Sequence, residues 1–201
     1  MTHSGEAVAA AYSSRATEYV DLFGTMESVH PDDHTVVLTW ARGLKGPVVD
    51  AGCGPGHWTH LLAEQGVEIE GVDLSEQFIE HARRQYPGRG FRVGDISALG
   101  VADGSLGGIL SWYSTIHYTP DTLREPLTEF ARALAPGGGV LLGFFEGPEV
   151  ESFEHAVITA YRWPAARLAE EVEGAGFEVV ETHTRQDPGT RPHGSLIARR
   201  L

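Results

Sequence analysis

The segment Val48-Val49-Asp50-Ala51-Gly52-Cys53-Gly54-Pro55-Gly56-His57-Trp58 constrains the fold of this chain more than any other stretch. An apolar run ends in an acid, passes through three glycines spaced by two, and opens into the helical pattern Trp58, Leu61, Leu62. That order spells a strand, a glycine loop and a helix N-terminus. Glycines let the backbone approach a ligand closely, and the first helix N–H groups have no partner within the helix, so the junction suits something small and polar.

Around this junction the residue pattern alternates between strand and helix. Upstream, Val8, Ala11, Tyr12, Tyr19, Leu22 and Phe23 repeat at helical spacing, and a second helix is expected from Pro31-Asp32-Asp33 with Val36, Val37, Trp40 and Leu44 turned inward. Downstream, strands are expected at 48–51, 69–73, 91–95, 106–113 and 140–145. Helices follow at 57–65, after Ser75, through Leu123–Leu134 and after Pro164. Ser75 suits an N-cap, with Leu74 and Ile79 placed as a hydrophobic staple. Two last strands read at 177–182 and 195–198. Seven strands with helices between the first five predict an open, doubly wound α/β sheet of three layers, whose ligands bind beyond the carboxyl ends of the strands.

Two cofactors compete for a glycine loop in this position: a dinucleotide and S-adenosylmethionine. The dinucleotide fingerprint needs a glycine three residues after Gly54, where this chain has His57. Asp73, at the end of the second strand, stands where an acid commonly meets ribose hydroxyls, a feature both cofactors share. Gly94-Asp95-Ile96 closes the third strand with an acid suited to an adenine amino group and an aliphatic residue suited to cover the ring.

Taken in order, Asp50-Ala51-Gly52-Cys53-Gly54-Pro55-Gly56, Gly71-Val72-Asp73-Leu74-Ser75, Gly94-Asp95-Ile96 and Leu134-Ala135-Pro136-Gly137-Gly138 resemble the successive motifs of class I S-adenosylmethionine-dependent methyltransferases. The resemblance covers nearly the whole chain and is nearest to the small bacterial members that act on small molecules. It implies a Rossmann-like seven-stranded sheet whose last strand inserts antiparallel between the fifth and sixth. It also implies a single domain, with residues 1–46 as a helical lid and 47–201 as the cofactor-binding core. The cofactor-contacting set expected from it is Tyr12 from the lid, Asp50, Gly52, Cys53, Gly54 and Trp58 at the methionine end, Asp73 and Leu74 at the ribose, and Gly94, Asp95 and Ile96 at the adenine; Trp112 and Tyr113 read either as cofactor walls or as core at a strand end.

The catalytic candidates follow the fourth and fifth strands. Ser111-Trp112-Tyr113-Ser114-Thr115-Ile116-His117-Tyr118 leaves the fourth strand where the transferable methyl should sit. In-line displacement from an activated sulfonium needs alignment and, for an acidic nucleophile, a base. His117 reads either as that base or as a structural histidine fixing the turn before Pro120. Glu146, after Phe144-Phe145, is the second candidate. Arg162, Arg191 and His193 read as anion contacts or as surface residues, and His30 and His34 as solvent or lid residues. Cys53 reads as a small loop residue, since no activating base accompanies it.

Charge narrows the acceptor. Twenty-eight acidic residues against fifteen basic ones give a net charge of −13, which repels nucleic acid and anionic membranes. The amino-methylating DNA enzymes of this fold carry an acid or asparagine, two prolines and an aromatic where this chain has Ser111-Trp112-Tyr113-Ser114. Ten histidines without tight spacing make no metal site, so metal-free transfer is expected. The expected partner is a small-molecule methyl acceptor, in a cytoplasmic protein with no signal or membrane segment. An S-adenosylmethionine-binding protein without turnover and an NAD(P)-dependent oxidoreductase are the alternatives.

Overall fold

Successive side chains of a strand point to opposite faces, so Val48 and Asp50 turn one way and Val49 and Ala51 the other; the molecule is layered on that split. The computed structural model describes Met26, residues 29–155 and residues 159–201. The expected first helix, with Tyr12 and Tyr19, lies outside these residues.

The chain enters with α1 (Pro31–Arg42), β1 (Val48–Ala51), α2 (His57–Glu64), β2 (Ile69–Asp73), α3 (Glu76–Gln85) and β3 (Gly90–Val93). It continues with β4 (Leu106–Trp112), a single 3-10 turn at Thr115–His117, α4 (Arg124–Ala133) and β5 (Leu134–Glu146). β6 (Glu151–Phe153), β7 (Ala160–Trp163), α5 (Ala165–Gly174), β8 (Phe177–Arg185) and β9 (His193–Arg200) complete it. The helix starts have local causes. Pro31 pre-sets the first turn of α1, His30 Nδ1 accepts from the Asp32 N–H at 3.2 Å, and Asp32 and Asp33 complement the helix dipole. Ser75 Oγ accepts from the Phe78 N–H at 3.3 Å and caps α3 as expected. Pro126 falls in the first turn of α4, where its missing N–H costs nothing.

The sheet runs β3-β2-β1-β4-β5, all parallel, and reverses its order at β1, flanked by β2 on one side and β4 on the other. β9 lies antiparallel between β5 and β8, the insertion the resemblance implies for the last strand. The strand count differs: nine strands are present among the described residues rather than seven. β6 and β7 arise from the stretch after β5 that carries no clear periodicity. β4 pairing ends at Gly143, and β7 takes the vacated edge of β5 at Phe145 and Glu146.

One face of the sheet, through Val49, Ala51, Ile109, Val140 and Leu142, packs on Leu123 at the N-cap of α4, on Leu127 and Phe130 of α4 and on Leu168 and Val172 of α5. The other, through Val48, Leu110 and Leu141, packs on Val37 and Trp40 of α1 and Trp58 and Leu62 of α2. Both faces being covered, β4 and β5 read as nearly continuous apolar runs.

Candidate functional site

The order reversal at β1 opens a crevice between the ends of β1 and β4, and the glycine loop fills it. Gly52, Gly54 and Gly56 all have positive φ, at 82°, 52° and 90°. They do different work. A Cβ on Gly52 would fall 2.2 Å from Ser114 Cβ, and one on Gly56 would fall 2.7 Å from the Phe91 ring and 2.9 Å from Ala82 Cβ. Gly56 thus permits the close helix-to-sheet packing that a dinucleotide loop would assign to position 57. A Cβ on Gly54 would meet nothing within 4 Å. The loop is packed from behind at two glycines and open at the third.

Hydrogen bonds pin the loop to its neighbours. Asp73 Oδ2 accepts from the Gly54 N–H at 2.9 Å and Oδ1 from the Ser75 N–H at 2.8 Å. Across the crevice, Ser114 Oγ donates to the Ala51 carbonyl at 2.5 Å and lies 2.7 Å from Ser111 Oγ. Asp50 is buried on the α2 side, where Thr59 Oγ1 donates to its Oδ2 at 2.6 Å. Burial pushes its carboxyl up to about 7, against the Thr59 hydrogen bond and with the help of the Asp73 charge. Asp73 is raised too, again by desolvation, with the Ser75 and Gly54 N–H groups opposing. Burial also pushes the Cys53 thiol well up, which suits a small structural residue.

A cavity of about 500 Å³ opens in front of the loop. Asp50, Gly52, Cys53, Gly54, Trp58, Trp112 and Tyr113 line it, so the structure gathers seven of the sequence-expected residues around one space. Leu74 follows Asp73 at the end of β2, and Gly94, Asp95 and Ile96 follow β3, beyond this lining. Asp95 Oδ1 accepts from the Ser97 N–H and hydroxyl at 2.8 and 2.7 Å, and the Gly94 N–H donates to the Asp73 carbonyl at 3.0 Å.

His117 and Glu146 are not among the lining residues. His117 is buried in the 3-10 turn, with Nδ1 3.0 Å from the Thr159 carbonyl. Glu146 ends β5, and its N–H donates to the Pro192 carbonyl at 3.0 Å. Arg162 pairs with Glu151, and Arg191 lies over the Phe153 ring at 4.8 Å. His193, by contrast, lines the cavity, and so does His30.

Several lining residues escaped the sequence reading. His57 Nδ1 is buried without a partner among the described residues, and desolvation lowers its pKa to about 4. His155 Nδ1 is likewise orphaned, and burial followed by the Arg191 charge lowers its pKa. Asp33, on α1, pairs through both oxygens with Arg185 at the end of β8, and Arg185 Nε also meets Asp187 at 3.1 Å. Position 57 was legible as the departure from the dinucleotide pattern. Asp33 and Arg185 are 152 residues apart, and no local pattern couples them.

Asp50, the open Gly54 and the uncapped start of α2 make a fit for a group carrying both an ammonium and a carboxylate. Trp58 and Trp112 meet edge to face at 5.8 Å and wall the same region. These features suit the methionine end of S-adenosylmethionine.

Comparison with known proteins shows a likeness to methyltransferases. A family described as a methyltransferase domain matches residues 48–138. A malonyl-(acyl-carrier protein) O-methyltransferase from Enterobacter lignolyticus is 32% identical over 133 residues, 66% of this chain and 51% of that protein. The chain spans about half the length of the curated relatives it matches. The solved structure of Burkholderia thailandensis 1,6-didemethyltoxoflavin-N1-methyltransferase, with bound 1,6-didemethyltoxoflavin and S-adenosylhomocysteine, superposes with a TM-score of 0.78 at 22% identity. It covers 98% of this chain and 90% of that one. A (4+2)-cyclase, SpnF, superposes with a TM-score of 0.79 at 15% identity over 98% of this chain and 97% of its own. At such identities the likeness is one of fold. No helix among the described residues is long and apolar enough to cross a membrane.

Proposed function

We propose, from the match of residues 48–138 to a methyltransferase domain, that the protein is an S-adenosylmethionine-dependent methyltransferase acting on a small-molecule acceptor. The observation that carries the reading is the glycine loop itself. Its one open glycine, Gly54, faces the cavity while its N–H is held by the acid at the end of β2. When bound, S-adenosylmethionine supplies a methyl group on a sulfonium, already activated for in-line displacement.

The chain's own residues then bind, orient and exclude water. Asp50 and the first N–H groups of α2 hold the methionine end, Asp73 the ribose, and Asp95 with Ile96 the adenine. Leu74 and Gly94 border the nucleoside, Trp58, Trp112 and Tyr113 close the walls, and Tyr12 belongs to the proposed cover formed by residues 1–46. Cys53 keeps the loop compact. His117 serves by holding the turn after β4 through its ring nitrogen and the Thr159 carbonyl, and Glu146 by closing β5 beside the loop before β9. The acceptor occupies the far, ring-lined end of the cavity, and neither a metal ion nor nucleic acid has a part in the proposed reaction.

Isothermal titration with S-adenosylhomocysteine and, separately, with NADH tests the reading. Binding of the first and not the second is the expected result, and Asp73→Ala should weaken it at least tenfold. Binding of NADH alone, or an unchanged affinity in Asp73→Ala, would overturn the assignment. An acceptor screen coupled to S-adenosylhomocysteine release then separates a transferase from a protein that only binds the cofactor.

A further inference from the structure

Beyond the glycine loop, the cavity changes character. Tyr113 and Phe145 lie with ring centroids 5.0 Å apart, Phe145 and His193 5.4 Å, Tyr113 and His193 5.6 Å, and Phe145 and His155 5.7 Å. All four rings line the cavity together with Ile116. These rings, tilted 44° to 84° to one another, make one aromatic wall against which a flat ligand gains offset and edge-on ring contacts beyond simple area burial. Tyr113 is held here at φ 57°, a conformation an L-residue rarely adopts, and its N–H bonds to the Gly143 carbonyl at 3.2 Å.

The polar groups at this end are few and paired. Tyr113 Oη lies 2.6 Å from His193 Nδ1, and no other hydrogen bond occupies either side chain among the described residues. A phenol and a neutral imidazole hold one proton each, and their mutual bond uses one donor and one acceptor. If the hydroxyl donates, the pair still offers the Nε2–H as donor and the phenolic oxygen as acceptor. If Nδ1–H donates, it offers the O–H as donor and Nε2 as acceptor. Either tautomer shows the cavity one of each.

Charge at the same place is net negative, with one arginine standing against two carboxylates. Arg185 is the cation on this part of the lining, and it is engaged by both oxygens of Asp33 and by Asp187. It has no uncompensated charge for a carboxylate or phosphate ligand. His193 faces Arg185 and His30 on one side of the balance and Asp33 and Asp187 on the other, and burial, the largest influence, favours its neutral form.

Resting on the methyltransferase reading above, we propose that the acceptor is a planar nitrogen heterocycle without negative charge, with both a hydrogen-bond donor and an acceptor on its rim, recognised by the Tyr113 hydroxyl and the His193 imidazole acting as a pair. The ring walls supply the affinity for a flat body, and the pair supplies its orientation. A ligand with a free carboxylate is disfavoured because it would bring an unpaired charge against Asp33 and Asp187.

Calorimetry on the protein saturated with S-adenosylhomocysteine tests this with three probes: lumazine, a bicyclic heterocycle bearing N–H and C=O groups; quinoline, flat but without a donor; and malonate. Lumazine should bind saturably, quinoline at least tenfold more weakly, and malonate not measurably. His193→Phe should weaken lumazine roughly tenfold, and His193→Gln, which keeps a donor and an acceptor, should recover most of that loss. Retained S-adenosylhomocysteine binding by both variants would confirm that they are folded. The inference is overturned if malonate binds more tightly than lumazine, if quinoline equals lumazine, or if His193→Phe leaves lumazine affinity unchanged. Binding of S-adenosylhomocysteine without lumazine sinks this inference alone, whereas failure of S-adenosylhomocysteine itself to bind sinks the methyltransferase reading as well.

Discussion

Replacing Asp50 with asparagine is expected to make the protein more stable above neutral pH and a poorer binder of the cofactor. The carboxyl is raised from 3.8 to about 7 by desolvation. At 1.36 kcal/mol per pKa unit, holding it ionised in the fold costs roughly 4 kcal/mol relative to the unfolded chain. The sign follows from proton counting. Between about pH 4 and pH 7 the folded protein keeps a proton that the unfolded chain has released, so stability falls as pH rises. This contribution is fully present below the unfolded pKa of 3.8 and is lost once pH has passed about 7. The asparagine side chain of the variant carries no titrating proton, and its amide oxygen can still accept from the Thr59 hydroxyl that now bonds Asp50. After about 1 kcal/mol for a weaker hydrogen bond, the variant should exceed the wild type by about 3 kcal/mol at roughly pH 8. Urea unfolding followed by tryptophan fluorescence, at about pH 5 and about pH 8, measures the difference. S-adenosylhomocysteine affinity should fall tenfold or more in the same variant, because a carboxylate facing an ammonium has become neutral. Parallel pH dependences in the two proteins would refute the assignment of this titration to Asp50.

Four further substitutions separate fold from site. Gly54→Ala adds a methyl group where nothing lies within 4 Å, so it should cost about 1–2 kcal/mol of backbone strain while cutting S-adenosylhomocysteine affinity more than tenfold by calorimetry. Gly56→Ala drives its methyl into Phe91 and Ala82, and should instead show as a fall in thermal midpoint of several degrees or as insoluble protein. His57, lowered from 6.5 to about 4, should remain neutral at pH 6 in an NMR titration. Its contribution to stability is present above 6.5 and lost as pH falls through about 4, so acid unfolding should shift to lower pH in His57→Phe. Ser114→Ala leaves the Ala51 carbonyl and Ser111 hydroxyl without their shared partner across the crevice, and chemical denaturation should register about 1–3 kcal/mol.

The motif-bearing half of the molecule was legible because its signals are local. A strand ending in Asp50, three glycines and a helix start need only a dozen consecutive residues, and each strand boundary up to Asp73 fell where the apolar pattern placed it. Ser75 capped α3 for a reason written within three residues of it. The hairpin of β6 and β7 was not legible. It exists because β4 ends at Trp112, opposite Gly143, while β5 runs on to Glu146, leaving backbone groups that another strand must satisfy. Nothing in 151–163 alone announces that vacancy.

The acceptor end shows the same division. His193 could be singled out by residue type, but the 2.6 Å contact with Tyr113 joins residues 80 positions apart, and the lining by His155 depends on the hairpin after β5. Sequence by itself determined the parallel α/β core and the glycine floor, since backbone conformation and strand periodicity are set by neighbours in the chain, and the resemblance of its successive motifs pointed to the cofactor. Only the tertiary structure decided which charges pair at the cavity wall and which rings enclose the acceptor, because those depend on where β9 and the β6–β7 hairpin come to lie against β5.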